Sequence, residues 1–147
     1  MSKIGVSSWF QFAKFEVLNP LVALITGGGS GIGLMATQTL AVNGAKVYIT
    51  GRTGEKLDQV TELYGKNIPR QIISITSDVT STESIQKLVK QIKSKEKALH
   101  ILINNVGILS LTTNTEADDP KQLQQELLHH SSSTFDEWEC VFRTNVT

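Results

Sequence analysis

The 147-residue chain is poor in the residue types that would commit it to a specialised architecture. Cys140 is its one cysteine, so no intramolecular disulfide can form and a cysteine-based zinc site has too few ligands. With nothing pointing to an oxidising compartment, the expected setting is intracellular and cytoplasmic. No early apolar run is long: residues 21–25 fall far short of the ~20 that cross a bilayer. Gln11, Lys14 and Glu16 interrupt the stretch before it, which argues against a secretory leader. Net charge is missing too. Fourteen Lys and Arg balance fourteen Asp and Glu, so no strong field draws nucleic acid or an anionic membrane. The remaining composition, 39% hydrophobic and 19% charged, describes a soluble globular chain and not a disordered one. The length suits one domain.

The charge balance conceals an asymmetry. Residues 1–100 carry twelve basic and seven acidic side chains, residues 101–147 two and seven. This pattern is read as solvated helix faces. Aromatic residues are also few, and Trp9, Phe10, Phe12 and Phe15 gather four of the nine in an arm over residues 1–19. Val6, Trp9, Phe10, Ala13 and Val17 recur there at helical spacing. Packing on the protein's own sheet or on a second copy is the expected role. Adhesion to a membrane is the minor alternative, because the polar face has few cations.

Beyond Pro20 the pattern is regular. Leu21-Val22-Ala23-Leu24-Ile25 reads as a strand buried on both faces. Residues 31–43 read as a helix with Ile32, Met35, Ala36 and Leu40 inward, stopped by Asn43-Gly44. A strand over 46–50, a helix marked by Leu57, Val60 and Tyr64, and a strand over 71–76 follow. Thr80-Ser81-Thr82-Glu83 has the form of a capping box with Thr80 as the cap. It opens a helix with Ile85, Leu88, Val89 and Ile92 on its dry side and lysines 87, 90, 93, 95 and 97 on or beyond the wet one. Residues 100–104 form a fourth strand. After an irregular stretch, Asp119-Pro120 caps a helix over 121–129, and Thr134-Phe135-Asp136-Glu137 caps a last one striped by Phe135, Trp138 and Phe142. Alternating strands and helices predict an α/β fold with a parallel sheet.

Five of the eleven glycines lie in Thr26-Gly27-Gly28-Gly29-Ser30-Gly31-Ile32-Gly33, between a buried strand and a helix start. Free backbone amides and the helix dipole favour a phosphate there, and a Cβ would hold it off the backbone. The nucleoside-triphosphate loop needs Lys followed by Ser or Thr, but Leu34-Met35 follow Gly33. Glycines at i, i+2 and i+5 fit no register either.

What fits is Thr-Gly-x-x-x-Gly-x-Gly, and with it the sequence resembles the short-chain dehydrogenase/reductase family. Arg52 after the second strand, Asp78-Val79 after the third, Asn104-Asn105-Val106-Gly107 at the fourth and Asn145 in the last helix match in family order over residues 20–147. The resemblance implies a Rossmann-type, doubly wound parallel sheet, truncated to four strands in the order 3-2-1-4 with helices on both faces. In that reading the arm precedes a partial NAD(P)-binding domain over 20–147. Gly27, Ser30, Gly31, Ile32 and Gly33 would hold the pyrophosphate, with Ile32 against the cofactor. Asp78 and Val79 would take the adenine, Asn105 and Gly107 would border its ribose, and Asn104 would tie neighbouring strands. Val106 replaces the usual alanine and adds two methyls near that ribose.

Members that select NAD carry a carboxylate at the end of the second strand. Here Gly51 stands at that position and Arg52 follows, a planar fork suited to a phosphate dianion. NADP(H) is therefore expected over NAD(H), by roughly a factor of ten to a hundred. The family's acid/base is a tyrosine with a lysine four residues later, whose charge favours tyrosinate. Tyr48 is followed at that spacing by Arg52 and Tyr64 by Ile68, so Asn145 is the one member of the catalytic tetrad present. The expected function is NADP-dependent carbonyl/alcohol oxidoreduction on an unidentified small substrate, without turnover by these 147 residues alone. A non-catalytic NADP-binding module and an interaction-only remnant are the alternatives. His129 and His130 are expected to be exposed and Cys140 buried, and Glu116, Asp118 and Asp119 offer no metal cage. An open edge on the fourth strand would invite pairing with another copy.

Overall fold

The computed structural model describes residues 18, 21–66, 71–109, 119–121, 124 and 135–146. Its elements run β1 (Val22–Thr26), α1 (Gly31–Val42), β2 (Lys46–Gly51), α2 (Gly54–Tyr64), β3 (Ile72–Thr76), α3 (Thr82–Lys95), β4 (Ile101–Ile103) and α4 (Phe135–Asn145). The chain falls into two units, the first ending at Asn105 and the second beginning at Val106. The aromatic arm, apart from Leu18, lies outside the described residues.

The first unit is a parallel sheet in the order β3-β2-β1-β4, as the resemblance implied. Ala23, Leu24 and Ile25 of β1 pair with Val47, Tyr48 and Ile49 on one side and with Ile101, Leu102 and Ile103 on the other. Side chains alternate between the faces. Ala23, Ile25, Val47 and Ile49 join one core with Ala41, Leu57 and Val60 of α1 and α2. Val22, Leu24, Tyr48 and Ile75 join another with Leu88 and Ile92 of α3. With a core on each face the strands need apolar residues at every position, which explains their unbroken runs. Burying a Leu or Ile side chain is worth about 1.5–3 kcal/mol, so Leu88 and Ile92 carry most of the hold on α3. Ile85 and Val89, expected on the dry side with them, are exposed instead, because the contact with the sheet is one narrow stripe.

Two further expectations about helices are corrected. In α1 the buried residues are Gly33, Thr37 and Ala41, while Ile32 is 77% and Met35 65% exposed. Small residues at i, i+4 and i+8 let the helix lie close to the strands; Leu34, Ala36 and Leu40 still pack against the core, and it is Ile32 and Met35 that fall on the outer side. The Thr37 hydroxyl bonds to the carbonyls of Gly28 (3.2 Å) and Gly33 (2.8 Å), which satisfies it inside the core. In α3 the cap is Ser81 and not Thr80. The Ser81 hydroxyl accepts the Ser84 amide (3.3 Å) and donates to Glu83 (3.0 Å). A hydrogen bond from its own backbone amide, then the Ser81 hydroxyl, hold the Glu83 carboxyl below its usual range. Thr80 is engaged elsewhere, with Asp78.

A polar cluster joins the end of α3 to β2. Glu96 Oε1 accepts the Tyr48 hydroxyl (2.5 Å) and pairs with the Lys46 ammonium (2.5 Å), which also lies 5.9 Å from the Tyr48 ring centroid. Lys46, then Tyr48, hold the Glu96 carboxyl below its usual range. Burial, then Glu96, push the Tyr48 phenol well up. The Glu96 contribution to stability is complete above the ordinary carboxyl range and is lost as pH falls through its lowered native value. The Tyr48 contribution is complete below the ordinary phenol value and is lost as pH rises through its raised one. Urea midpoints measured against pH should therefore fall at both ends. Glu96→Gln should cost about 1–2 kcal/mol near neutrality and flatten the acid limb.

In the second unit the Lys121 amide donates to Asp119 Oδ1 (3.2 Å), as expected of a cap, and Pro120, Lys121 and Gln124 are helical. The rest of the helix expected over 121–129, His129 and His130, and Thr134 of the last capping box lie outside the described residues. So do Glu116 and Asp118; Asp119 is exposed. Trp138 and Phe142 are both exposed on α4. Cys140, expected to be a buried thiol, is exposed as well, beside the equally exposed Glu139. No group of described residues could hold a metal ion, and no described helix is long and apolar enough to cross a membrane.

Candidate functional site

The glycine loop links β1 to α1 at the carboxyl end of the sheet, and its geometry explains each of three glycines. Gly27 (φ 68°) and Gly31 (φ 53°) adopt left-handed backbone that other residues enter at a cost of about 1–2 kcal/mol. Gly33 is needed for closeness. A Cβ there would collide with the carbonyl of Gly27 and come within 2.5 Å of Asn105 Nδ2. Helix and loop therefore touch backbone to backbone.

Ser30 is the residue before the first turn of α1, and its side chain makes no capping bond. In any α-helix the first amides lack partners within the helix; here those are the amides of residues 31–33. Leu34 closes the first internal bond, donating to the Ser30 carbonyl (3.1 Å). The positive end of α1 thus opens onto a loop that carries no side chain at 27, 28, 29, 31 or 33. Such a cradle suits the oxygens of a phosphate or pyrophosphate. Ile32, beside it, presents its side chain outward.

Asn105 fixes the loop from the neighbouring strand. Its amide donates to Thr26 Oγ1 (2.9 Å), and its Nδ2 to the carbonyls of Thr26 (3.1 Å) and Gly27 (3.4 Å). Asn104 was expected to make this tie, but it is exposed. The chain leaves the ladder after Ile103, and it is the second asparagine that turns back to β1.

Asp78 follows β3. One carboxylate oxygen, Oδ1, accepts both the amide (2.9 Å) and the hydroxyl (2.7 Å) of Thr80, which fixes the plane of the group. Val79 beside it is half-buried. Arg52 is exposed directly after β2. A Cβ at Gly51 would meet nothing closer than 3.7 Å, so a side chain there has room.

In the second unit Asn145 clamps the peptide of Ile108. Its Oδ1 accepts the Ile108 amide and its Nδ2 donates to the Ile108 carbonyl, both at 2.8 Å. A Cβ on Gly107 would lie 3.3 Å from Asn145 Oδ1, tighter than an ordinary contact. The site residues thus form two groups: the glycine loop, Arg52, Asp78, Val79, Asn104 and Asn105 in the first unit, Gly107 and Asn145 in the second.

Tyr48 plays no acid/base part in this arrangement. It is buried, its hydroxyl is bound to Glu96, and its proton is held more tightly than in water, the reverse of what such a role requires. Sequence reasoning missed Thr37, because a threonine within a helix carries no signal that it will anchor the preceding loop.

Residues 21–147 match the family model described as short chain dehydrogenase. Among curated relatives, the short-chain dehydrogenase/reductase VdtF of Byssochlamys spectabilis is 35% identical over 132 residues, covering 86% of this chain and 41% of that protein. Human retinol dehydrogenase 11 is 35% identical over 98 residues, covering 66% of this chain and 31% of that protein. Among solved structures, the Pseudomonas aeruginosa RhlG/NADP active-site complex superposes with a TM-score of 0.63 at 26% identity over 86% of this chain and 41% of that one. The citronellol catabolism dehydrogenase AtuB of Pseudomonas aeruginosa PAO1 gives 0.66 at 28% identity over 85% of this chain and 44% of that one. The chain spans about two fifths of the length of the first of these relatives.

Proposed function

The chain belongs to the short chain dehydrogenase family, and on that premise we propose that it is the nucleotide-binding part of an oxidoreductase preferring NADP(H). The observation that carries this reading is Gly51 followed by an exposed Arg52 at the exit of β2. A carboxylate at position 51 would repel a ribose 2′-phosphate, and none is present. The guanidinium can pair with the phosphate through two parallel hydrogen bonds. The structure named as an NADP complex among the neighbours supports the same choice.

The residues present fit such a cofactor. Gly27, Gly31 and Gly33 keep the loop bare, and the amides at the start of α1, with Ser30 beside them, would hold the pyrophosphate. Ile32 would shield it from water. Asp78, its plane set by Thr80, would orient the adenine against Val79, and Asn105 and Gly107 would flank the adenosine ribose, with Asn104 beside them. The bound cofactor would supply hydride exchange at the nicotinamide ring. By the family resemblance, Asn145, held through Ile108, would be this chain's member of the catalytic tetrad. The substrate class is a small carbonyl or alcohol, acted on by the whole protein.

Arg52→Ala tests the cofactor choice. The ratio of the dissociation constants for NADH and NADPH, measured by calorimetry, should fall by about ten- to a hundredfold. An unchanged ratio would show that Arg52 is an ordinary surface residue.

A further inference from the structure

The glycine loop and β2 meet over one side chain that the motifs do not include. A Cβ on Gly29 would lie 3.0 Å from Leu57 Cδ2, and a Cβ on Gly51 would lie 3.7 Å from the same methyl. Neither glycine has a positive φ, so backbone conformation does not require glycine at either position. What they share is the approach to Leu57. This residue, at the end of the first turn of α2, is only 2% exposed and packs in the core with Ile49 and Val60. Two missing side chains from separate segments therefore face one fixed methyl, next to the residue that carries the guanidinium.

We propose that Leu57 is a positioning residue for the phosphorylated ribose. Its methyl closes the α2 side of the gap left by the two absent Cβ atoms, and so sets the room available at the ribose 2′ position beside Arg52. The inference rests on the NADP(H) reading and adds that selectivity depends on space as well as charge. A phosphate on the 2′ oxygen is much larger than a hydroxyl proton, so anything pushed into the gap penalises NADPH before NADH. The pyrophosphate cradle, built on residues 27–33, is common to both nucleotides.

The test is a double-mutant cycle on the full 147-residue chain, with Kd for NADPH and NADH and thermal melts for every variant. Gly29→Ala places a Cβ against the Leu57 methyl and should lower the preference for NADPH about tenfold. Leu57→Val removes that methyl, so the pair Gly29→Ala/Leu57→Val should recover most of the preference. A merely structural role for Leu57 predicts no recovery, because the second substitution only weakens the core. Gly51→Ala makes an ordinary contact and should lower the preference while leaving the melt unchanged, which keeps the proposal testable if Gly29→Ala unfolds. A wild type that prefers NADPH, with the ratio unmoved in Gly29→Ala and Gly51→Ala or a pair no better than the single variant, would overturn the role of Leu57 alone. A wild type without preference would overturn the NADP(H) reading, and the role of Leu57 with it.

Discussion

Gly33→Ala is expected to abolish nucleotide binding. The added Cβ would run into the Gly27 carbonyl, which belongs to the backbone of the loop itself and cannot rotate aside. It would also press on Asn105 Nδ2 at 2.5 Å, the group that holds the carbonyls of Thr26 and Gly27. Relief requires α1 to move away from the loop, and this displaces the amides of its first turn from the place where an anion would sit. A weakening of at least about a hundredfold in Kd follows, with overpacking costing about 1–3 kcal/mol of stability. Calorimetric titration with NADPH and urea unfolding measure the two effects separately. Gly31→Ala is the informative companion. Its Cβ would meet nothing within 4 Å, so the cost there is the left-handed backbone alone, about 1–2 kcal/mol. Normal binding by Gly33→Ala would remove the cradle as the phosphate site.

Gly51→Asp should exchange the cofactor preference. The new carboxylate would stand at the end of β2, where it can accept the two ribose hydroxyls of NAD(H) and would repel a 2′-phosphate. The fold should accept it, since the nearest atom to the new Cβ is 3.7 Å away. NADPH affinity is expected to fall by about a hundredfold and NADH affinity to rise by about tenfold. Direct titration with each nucleotide gives both numbers. Equal losses for both would mean that the carboxylate only disturbs the loop, and the position would then have no part in selection.

The strands were legible because a sheet covered on both faces leaves a clear trace, such as the unbroken Val22-Ala23-Leu24-Ile25; their order was implied by the family resemblance alone. The glycine loop was legible for a related reason: five glycines in seven positions serve little else at a strand-to-helix junction. The face of α1 was only half legible. Ala36 and Leu40 pack against the core as expected, but the closest contacts are made by Gly33, Thr37 and Ala41, residues with little hydrophobic signal, whereas Ile32 and Met35 look like core and point outward. The shift of the α3 cap from Thr80 to Ser81 arose because Asp78 engages the Thr80 hydroxyl first. Which of two adjacent asparagines turns inward depends on where the strand ends, and the motif alone does not encode that. Leu57 was legible as a marker of the second helix; its proximity to positions 29 and 51 is a tertiary relation between three segments.

Strand β4 is three residues long, yet a side chain secures it to β1 beyond each tip. At one end the Val22 amide donates to Nδ1 of His100 (3.0 Å), while the His100 amide returns a bond to the Val22 carbonyl (2.9 Å). At the other, Asn105 grips Thr26 and Gly27. Ordinary short strands loosen progressively from their tips, as local unfolding reaches inward one bond at a time. A strand fastened at both extremities has no loose tip from which to begin. Its release is therefore a single concerted event, and because Asn105 also secures the glycine loop, that event would release the loop at the same moment.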